Sequence, residues 1–275
     1  MAKKHGAVGL DISSNQIRFL EMNQSQQIIK SKLVDYSSET GFPTTEINAL
    51  LSEIEHKESP VILLAKLNSE VAFSSIIPED IDDANEFIIW KLSQLLAQPK
   101  ENYSFSVDIT DSEPKSAVAV AISPNEISEL KRQLKTLTRP INILDAYEVT
   151  VSNLAEKLLP EIGESYVTVQ VENDSLDMVS FVHSGINYRE KVVLENFTEC
   201  SSKIQFFLER QYTDAAAIPL VCFGSMASEV SEVLEALDNS IIIIDIDPDS
   251  DQMVEASQKG ALALPYSLAL RGLTV

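Results

Sequence analysis

Residues 8–22 read VGLDISSNQIRFLEM, and this stretch decides the fold class. An apolar strand runs to Asp11, a polar turn follows through Ser13, Ser14 and Asn15, and a second apolar strand returns. Two such strands joined by a short polar turn are typical of a β-hairpin. A carboxylate followed by hydroxyl groups and backbone N–H groups is also suited to binding a phosphate and its magnesium ion. The stretch therefore predicts a hairpin whose turn is a candidate phosphate loop.

The composition is that of a globular protein with a large excess of acidic residues. The 275 residues include 42 Asp and Glu against 21 Lys and Arg, a formal net charge of -21. This charge argues against nucleic acid and anionic lipid surfaces as partners, because their phosphates would be repelled. No run approaches the roughly 20 apolar residues of a membrane-spanning helix, so no direct membrane span is predicted. Cys200 and Cys222 lack metal-ligand and disulfide spacing, which predicts a reduced, cytoplasmic protein without a metal site.

A pattern of three strands, a helix and a fourth strand occurs twice along the chain. The first copy is predicted as strands 6–12, 16–22 and 27–36, helix 44–57 and strand 60–66. The second copy is predicted as strands 167–171, 176–182 and 186–193, helix 197–212 and strand 218–223, followed by helix 226–237, strand 240–246 and a final helix at 251–272. This duplication resembles the ribonuclease-H-like repeat of the actin superfamily, and it predicts an α/β fold.

Between the two copies lies an insert with its own pattern. It is predicted as strand 71–77, helix 80–97, strands 103–110 and 116–122 and helix 124–138, after which strand 141–145 and helix 146–159 return to the first half. The predicted division is therefore 1–69 with 140–160 for the first ribonuclease-H-like half, 70–139 for an inserted α+β subdomain, and 161–275 for the second half.

With this insert, the chain resembles the PilM proteins of type IV pilus assembly, which are related to the division protein FtsA. The segments that carry the likeness are VGLDISSNQIRFLE, VAFSSIIPEDIDDANEFIIWKLSQLLAQPKENYSFSV, INILDAYEVTVSNLAEKL and YSLALRGL. Pro78, Ala84 and Trp90 match the family pattern in the insert. The resemblance implies an actin-like fold with an FtsA/PilM-type insert. Only residues 194–196 stand where the family carries a large helical subdomain, which makes the chain similar to the shorter MshI proteins.

In the family, three loops hold a nucleotide, and the resemblance assigns residues of this chain to each. The first loop is Asp11, Ser13, Ser14 and Asn15, where Ser13 replaces the usual glycine. The adenine-side loop retains Gly224 and Ser225. These six residues are the predicted remnant of a nucleotide site.

The second phosphate loop departs furthest from the family. Gln170 stands where an aspartate is expected, and Glu172 stands where a glycine is expected. A carboxylate repels phosphate, by about 1 kcal/mol at about 4 Å even in water. Phe223 also adds bulk beside the adenine-side loop. ATP hydrolysis is therefore not expected, whereas residual binding of ATP and magnesium stays open.

A partner groove is also implied by the resemblance, since PilM binds the N-terminal tail of the membrane protein PilN between its first subdomain and its insert. Carried over, the groove would be lined by Val71, Phe73, Ile76, Phe87 and Trp90. An alternative for Trp90 is packing in the core of the insert, because its helix is apolar on more than one face. The C-terminal helix has a single Arg, which favours a buried helix over a membrane-binding one.

The predicted function is a non-enzymatic cytoplasmic scaffold of a type IV, MSHA-like pilus platform. It would bind the tail of a PilN-like inner-membrane protein together with other platform or motor proteins, and so be peripheral to the inner membrane. One alternative is an active actin-like ATPase whose site is rebuilt around Asp11 and Glu172. Another is the cytoplasmic component of a type II secretion platform.

Overall fold

A computed structural model describes residues 6–13, 15–37, 41–110, 115–183, 185–234, 237–246 and 256–274. The strands are β1 (Gly6–Ile12), β2 (Gln16–Asn23), β3 (Ile28–Asp35), β4 (Val61–Ala65), β5 (Val71–Ile76), β6 (Ser104–Thr110), β7 (Ser116–Ile122), β8 (Ile143–Ala146), β9 (Tyr166–Val171), β10 (Ser175–Val182), β11 (Gly185–Val193), β12 (Leu220–Phe223) and β13 (Ile241–Ile243). The helices are α1 (Thr44–Ser52), α2 (Ala84–Ser93), α3 (Pro124–Leu134), α4 (Tyr147–Leu158), α5 (Cys200–Gln211), α6 (Ala227–Leu234) and α7 (Ala263–Thr274).

Two five-stranded sheets repeat the same topology. The first has the order β3-β2-β1-β4-β8 and the second the order β11-β10-β9-β12-β13. In each sheet the first three strands form an antiparallel meander, and the fourth and fifth strands run parallel to the first. The meanders arise from short polar turns, whereas the parallel strands need a helical crossover. The predicted duplicated α/β fold is confirmed.

The hairpin at the start of the chain has the predicted form. β1 and β2 pair antiparallel from Gly6 opposite Asn23 to Ile12 opposite Ile17, which places Asp11 directly opposite Arg18. Nearly every residue of both strands is buried, because β1 and β2 lie inside a sheet that is covered on both faces.

The last helix covers the first sheet and approaches it very closely. A Cβ atom at Gly9 of β1 would lie 1.9 Å from the carbonyl oxygen of Pro265 in α7, and one at Gly272 would lie 2.3 Å from the side chain of Ile62. Glycine is therefore required at both positions for helix and strands to touch. Although α7 lies within the predicted second half (161–275), it packs on the first sheet.

The insert is a three-stranded sheet, β5-β7-β6, with α2 on one face. The opposite face carries Ala72, Val118 and Val120, which join the core shared with the first and second halves. One continuous core therefore links the insert to both halves of the molecule.

Several helices differ from their predicted bounds; helix 124–138, for example, ends at Leu134. The predicted helix 80–97 begins only at Ala84, because the Asp83 carboxylate accepts the backbone N–H of Glu86 and caps the helix there. The predicted helix 44–57 ends at Ser52, and the buried Glu21 carboxylate accepts the N–H groups of Glu55 and His56 beyond it. In the predicted helix 251–272, residues 256–262 form a 3₁₀ helix before α7, and 251–255 lie outside the described residues.

Candidate functional site

The first candidate loop joins β1 to β2, and its aspartate is fully buried. The Asp11 carboxylate lies 3.0 Å from Lys66 Nζ and 3.5 Å from Arg18 Nη1. The Ser13 hydroxyl donates to the carbonyl of Gln16 at 2.9 Å and accepts its N–H at 3.1 Å, so this hydroxyl closes the turn. Asn15 is exposed, and Ser14 lies outside the described residues.

The second candidate loop is dominated by Glu172, which joins the two halves of the molecule. Glu172 Oε2 accepts from Arg18 Nη2 at 2.7 Å and from Ser225 Oγ at 2.5 Å, while Oε1 accepts from Gln170 at 2.6 Å. Burial opposes its ionisation, but the charge of Arg18 and these hydrogen bonds outweigh burial and lower the pKa of Glu172. Glu172 is therefore a partly buried, ionised carboxylate.

Arg18 is the central cation of this network. Its side chain is 2% exposed and contacts both Asp11 and Glu172. Burial would lower its pKa, yet the two carboxylates raise it above the ordinary value. Arg18 is not among the site residues that the sequence predicted. The hairpin register, which puts Arg18 opposite Asp11, is the signal that would have found it.

The third candidate loop follows β12 and is packed against the second. Gly224 has a φ of 113°, and a Cβ atom there would lie 2.3 Å from the carbonyl oxygen of Val171. The N–H of Met226 donates to that same carbonyl. Gly224 is thus required by the contact between the two loops, and the Ser225 hydroxyl reaches Glu172.

The three loops therefore meet, with Asp11 and Ser225 joined through Arg18 and Glu172. A phosphate group binds through cations and free N–H or O–H donors. Here the cation Arg18, the cation Lys66 and the hydroxyl of Ser225 each contact a carboxylate. A phosphate entering this network would have to displace carboxylate from these groups.

The five residues predicted to line one partner groove do not share a surface. Val71, Phe73 and Phe87 pack against the core between the insert sheet and α2. Ile76 is 49% exposed; because side chains alternate along a strand, it faces away from α2. Because β5 and α2 pack against each other, these five side chains do not lie on one face, and the partner groove stays a prediction.

Trp90 is 57% exposed, so core packing does not describe it. Its ring centroid lies 6.5 Å from that of Phe87, and Lys91 Nζ lies 5.6 Å from the Trp90 ring. Trp90 therefore forms an aromatic surface on the outer side of α2.

A cleft of about 540 Å³ does separate the insert from the first half. Its walls are the edge strand β6, the helices α4 and α7 and the turn after β2; charged lining residues are Asp108, Glu156, Lys157 and Arg271. Arg271 pairs with the buried Asp145 at 3.2 Å. Among the described residues, no group of three or more His, Cys, Asp or Glu side chains is arranged to hold a metal ion, and no helix is long and apolar enough to cross a membrane.

No protein-family model matches the sequence, and no curated protein matches it. Solved structures do. A chain of a PilM–PilN type IV pilus biogenesis complex superposes with a TM-score of 0.74 at 14% identity, covering 98% of each chain. The fold is actin-like. The cytoplasmic domain of EpsL, an inner-membrane component of the type II secretion system of Vibrio cholerae, superposes with a TM-score of 0.53 at 13% identity over 94% of this chain and 93% of that one.

The prediction that the chain is not an enzyme is wrong. An inorganic polyphosphate/ATP-glucomannokinase from Arthrobacter sp. strain KM shares the actin-like fold, with a TM-score of 0.51 at 11% identity over 98% of this chain and 100% of that one. Because a kinase has this fold, altered loop residues do not by themselves make an actin-like chain non-enzymatic.

Proposed function

We propose that the chain is a PilM-like cytoplasmic component of a type IV pilus assembly platform. The observation that carries this proposal is the likeness to the PilM–PilN complex over 98% of both chains, which includes the insert as well as the two halves. In this role the chain binds the N-terminal tail of a PilN-like inner-membrane protein and is held at the membrane through it. The short connection at 194–196, where PilM proteins carry a helical subdomain, favours the MSHA pilus system.

The cleft between the insert and the first half is the tail site that the geometry supports best. β6 is an edge strand, so its outer backbone N–H and C=O groups are free of a neighbouring strand. An extended tail gains main-chain hydrogen bonds by lying along such an edge, and adjacent clefts take its side chains. The cleft brings Asp108 and Glu156 beside this edge together with Lys157 and Arg271, so the preference for a basic tail rests on the overall charge of -21.

Titration calorimetry with peptides from the tail of the neighbouring membrane protein tests this site. We expect Asp108→Lys to weaken binding at least about tenfold, which is about 1.4 kcal/mol. Asp82→Lys makes the same charge change at an exposed position of the insert outside the cleft and leaves binding unchanged. Equal loss in both variants, or no binding by the wild-type protein, would contradict the proposed site.

Trp90 supplies a second surface, and we assign it to another platform or motor protein. Exposed aromatic side chains are enriched among the residues that anchor interfaces. Trp90 lies on α2, which packs on one face of the insert sheet. No residue of α2 lines the tail cleft. A tail peptide and a second partner would therefore bind without competing.

The likeness to the EpsL cytoplasmic domain favours a second candidate, a component of a type II secretion platform. The two candidates differ in the partner and share the fold. Tail peptides from pilus and secretion platforms, titrated side by side, discriminate between them.

A nucleotide is the remaining proposed ligand, bound by the loops around Asp11, Ser13, Asn15, Gly224 and Ser225. Its phosphates would compete with Glu172 for Arg18 and Ser225. We therefore propose that nucleotide binding, where it occurs, is weak and opens the contact between the halves.

A further inference from the structure

A cavity of about 460 Å³ lies where the insert and the two halves meet. Glu70 comes from the loop that enters the insert, Glu148 from the first turn of α4, and Asp177 and Arg189 from β10 and β11. This cavity is separate from the tail cleft, and these four charged residues belong neither to the nucleotide loops nor to the tail site.

Two glutamates at this cavity are buried and incompletely bonded. The side chains of Glu70 and Glu148 are 0% and 3% exposed. Glu70 Oε1 accepts the backbone N–H of Tyr147 at 2.8 Å, but no donor within the described part of the chain bonds Oε2 of either glutamate. A buried carboxylate oxygen without a donor is destabilising, so it needs a ligand or a proton.

The cations of the cavity do not satisfy these oxygens. Arg189 makes a bidentate pair with Asp177, with nitrogen–oxygen distances of 2.8 Å and 2.7 Å. Its remaining Nη1 lies 3.7 Å from Glu70 and 3.6 Å from Glu148, beyond a good hydrogen bond. Lys66 is directed to Asp11, at 3.0 Å. Three buried carboxylates therefore share one guanidinium, while Lys191 is exposed.

Burial and the charge of Glu148 raise the pKa of Glu70 well above its ordinary value, whereas the N–H of Tyr147 and the charge of Arg189 act in the opposite direction. A proton on the Glu70 carboxyl, hydrogen-bonded to Glu148, accounts for these oxygens when no ligand is bound. A cationic ligand that binds there would release that proton.

We propose that this cavity binds a primary ammonium or guanidinium group on an aliphatic stem. The nitrogen group would donate to the free oxygens of Glu70 and Glu148, and the stem would lie against the apolar lining, which is Leu67, Val71, Leu95 and Ile186. The volume lies within the range of small-molecule sites, about 300–1,000 Å³. Because the cavity walls come from three parts of the chain, the bound cation stabilises their relative positions.

Agmatine, which carries an ammonium group and a guanidinium group on a four-carbon stem, is the probe for this site. We expect titration calorimetry of the full chain to give a Kd of about 1 mM or tighter, with 1-butanol as the uncharged control. The heat should differ between two buffers of unlike ionisation enthalpy, because binding releases a proton. Glu70→Gln and Glu148→Gln should each weaken binding at least about tenfold, and Glu70→Gln should remove the buffer dependence.

Glu161→Gln removes a carboxylate from an exposed position away from the cavity and should leave binding unchanged. If Glu70→Gln fails to fold, Glu148→Gln still tests whether the cation binds at this cavity, and the buffer dependence of the wild-type protein still tests the proton release. Failure of agmatine to bind, or a Kd that neither cavity substitution changes, overturns the proposal and leaves a buried pair of acidic side chains only. Binding of acetyl-arginine amide as tight as that of agmatine identifies a peptide side chain as the source of the cation, and much weaker binding identifies a free amine. This inference does not depend on the tail site, since its probes and variants lie outside that cleft.

Discussion

Arg18 Nη2 lies 2.7 Å from Glu172 Oε2, which joins a strand of the first sheet to a turn of the second across 154 positions of sequence. Arg18 is 2% exposed and Glu172 19% exposed, so the pair is largely desolvated. Such a pair is costly to break from one side, because the remaining partner stays buried and charged. The pair therefore controls how the two halves meet at the candidate nucleotide loops.

Removal of Arg18 should strongly destabilise the protein. Arg18→Ala leaves Asp11 and Glu172 without their guanidinium, and we expect the free energy of unfolding to fall by about 3–5 kcal/mol. Urea denaturation followed by circular dichroism measures this. The double variant Arg18→Met with Glu172→Gln should recover much of the loss, since both charges are removed. Arg132→Ala, at an exposed ion pair with Glu129, should have little effect.

The raised pKa of Glu70 predicts a decline in stability with increasing pH. Above the ordinary value of 4.5 the unfolded chain loses this proton while the native state keeps it. The native state then binds more protons, so the free energy of unfolding falls as pH rises from about 4.5 through the native pKa of Glu70. Glu70→Gln should flatten this part of the pH profile, and Glu161→Gln should not. An unchanged slope in Glu70→Gln would show that the proton is bound elsewhere.

Glycine at position 172 should strengthen nucleotide binding. Glu172→Gly removes the carboxylate that holds Arg18 and Ser225, which frees both for a phosphate. We expect Mg-ATP to raise the Tm of this variant more than that of the wild-type protein, with about 2.7 kcal/mol of stabilisation at a ligand concentration of 100 Kd. Asp174→Gly alters the same turn without releasing Arg18 and serves as control. Phosphate release measured in parallel reports catalysis, and a larger Tm shift in the wild-type protein would refute the blocking role of Glu172.

Trp90 should matter for binding and not for folding. As the single tryptophan of the chain, it should be readily quenched by acrylamide and become protected when a partner covers α2. Trp90→Phe should change the free energy of unfolding by less than about 0.5 kcal/mol. Ile88→Ala, at a fully buried position of the same helix, should cost about 2–5 kcal/mol. Strong destabilisation by Trp90→Phe would assign this residue to the core.

Gly9→Ala should separate α7 from the first sheet. The added methyl group would meet the Pro265 carbonyl oxygen at 1.9 Å, so either the helix moves away or the strand bends. We expect a loss of about 1–3 kcal/mol, as for other overpacked cores, and faster hydrogen exchange in α7 than in α5. Equal hydrogen exchange in α7 and α5 would show that the strain is spread through the core.

Much of the fold follows from local sequence patterns. The β1–β2 and β9–β10 hairpins and their crossover helices are readable because apolar alternation and polar turns act over a few residues. Helix ends are less predictable: α1 is shorter than its apolar pattern because Glu21, more than 30 residues earlier, binds the N–H groups beyond it. The division into 1–69 with 140–160, 70–139 and 161–275 stays a prediction. The helix α7 belongs to the predicted second half in chain order, yet it packs on the first sheet.

The sequence by itself determined the duplicated topology and the first hairpin, whose turn follows Asp11. Only the tertiary structure decided that Glu172 binds Arg18, that Trp90 is exposed while Phe87 packs in the insert, and that Glu70, Glu148 and Asp177 converge on one cavity. The physical reason is the range of the interactions. Hairpins and helices form between residues close in sequence, whereas the partner of a buried charge depends on how whole sheets pack against one another.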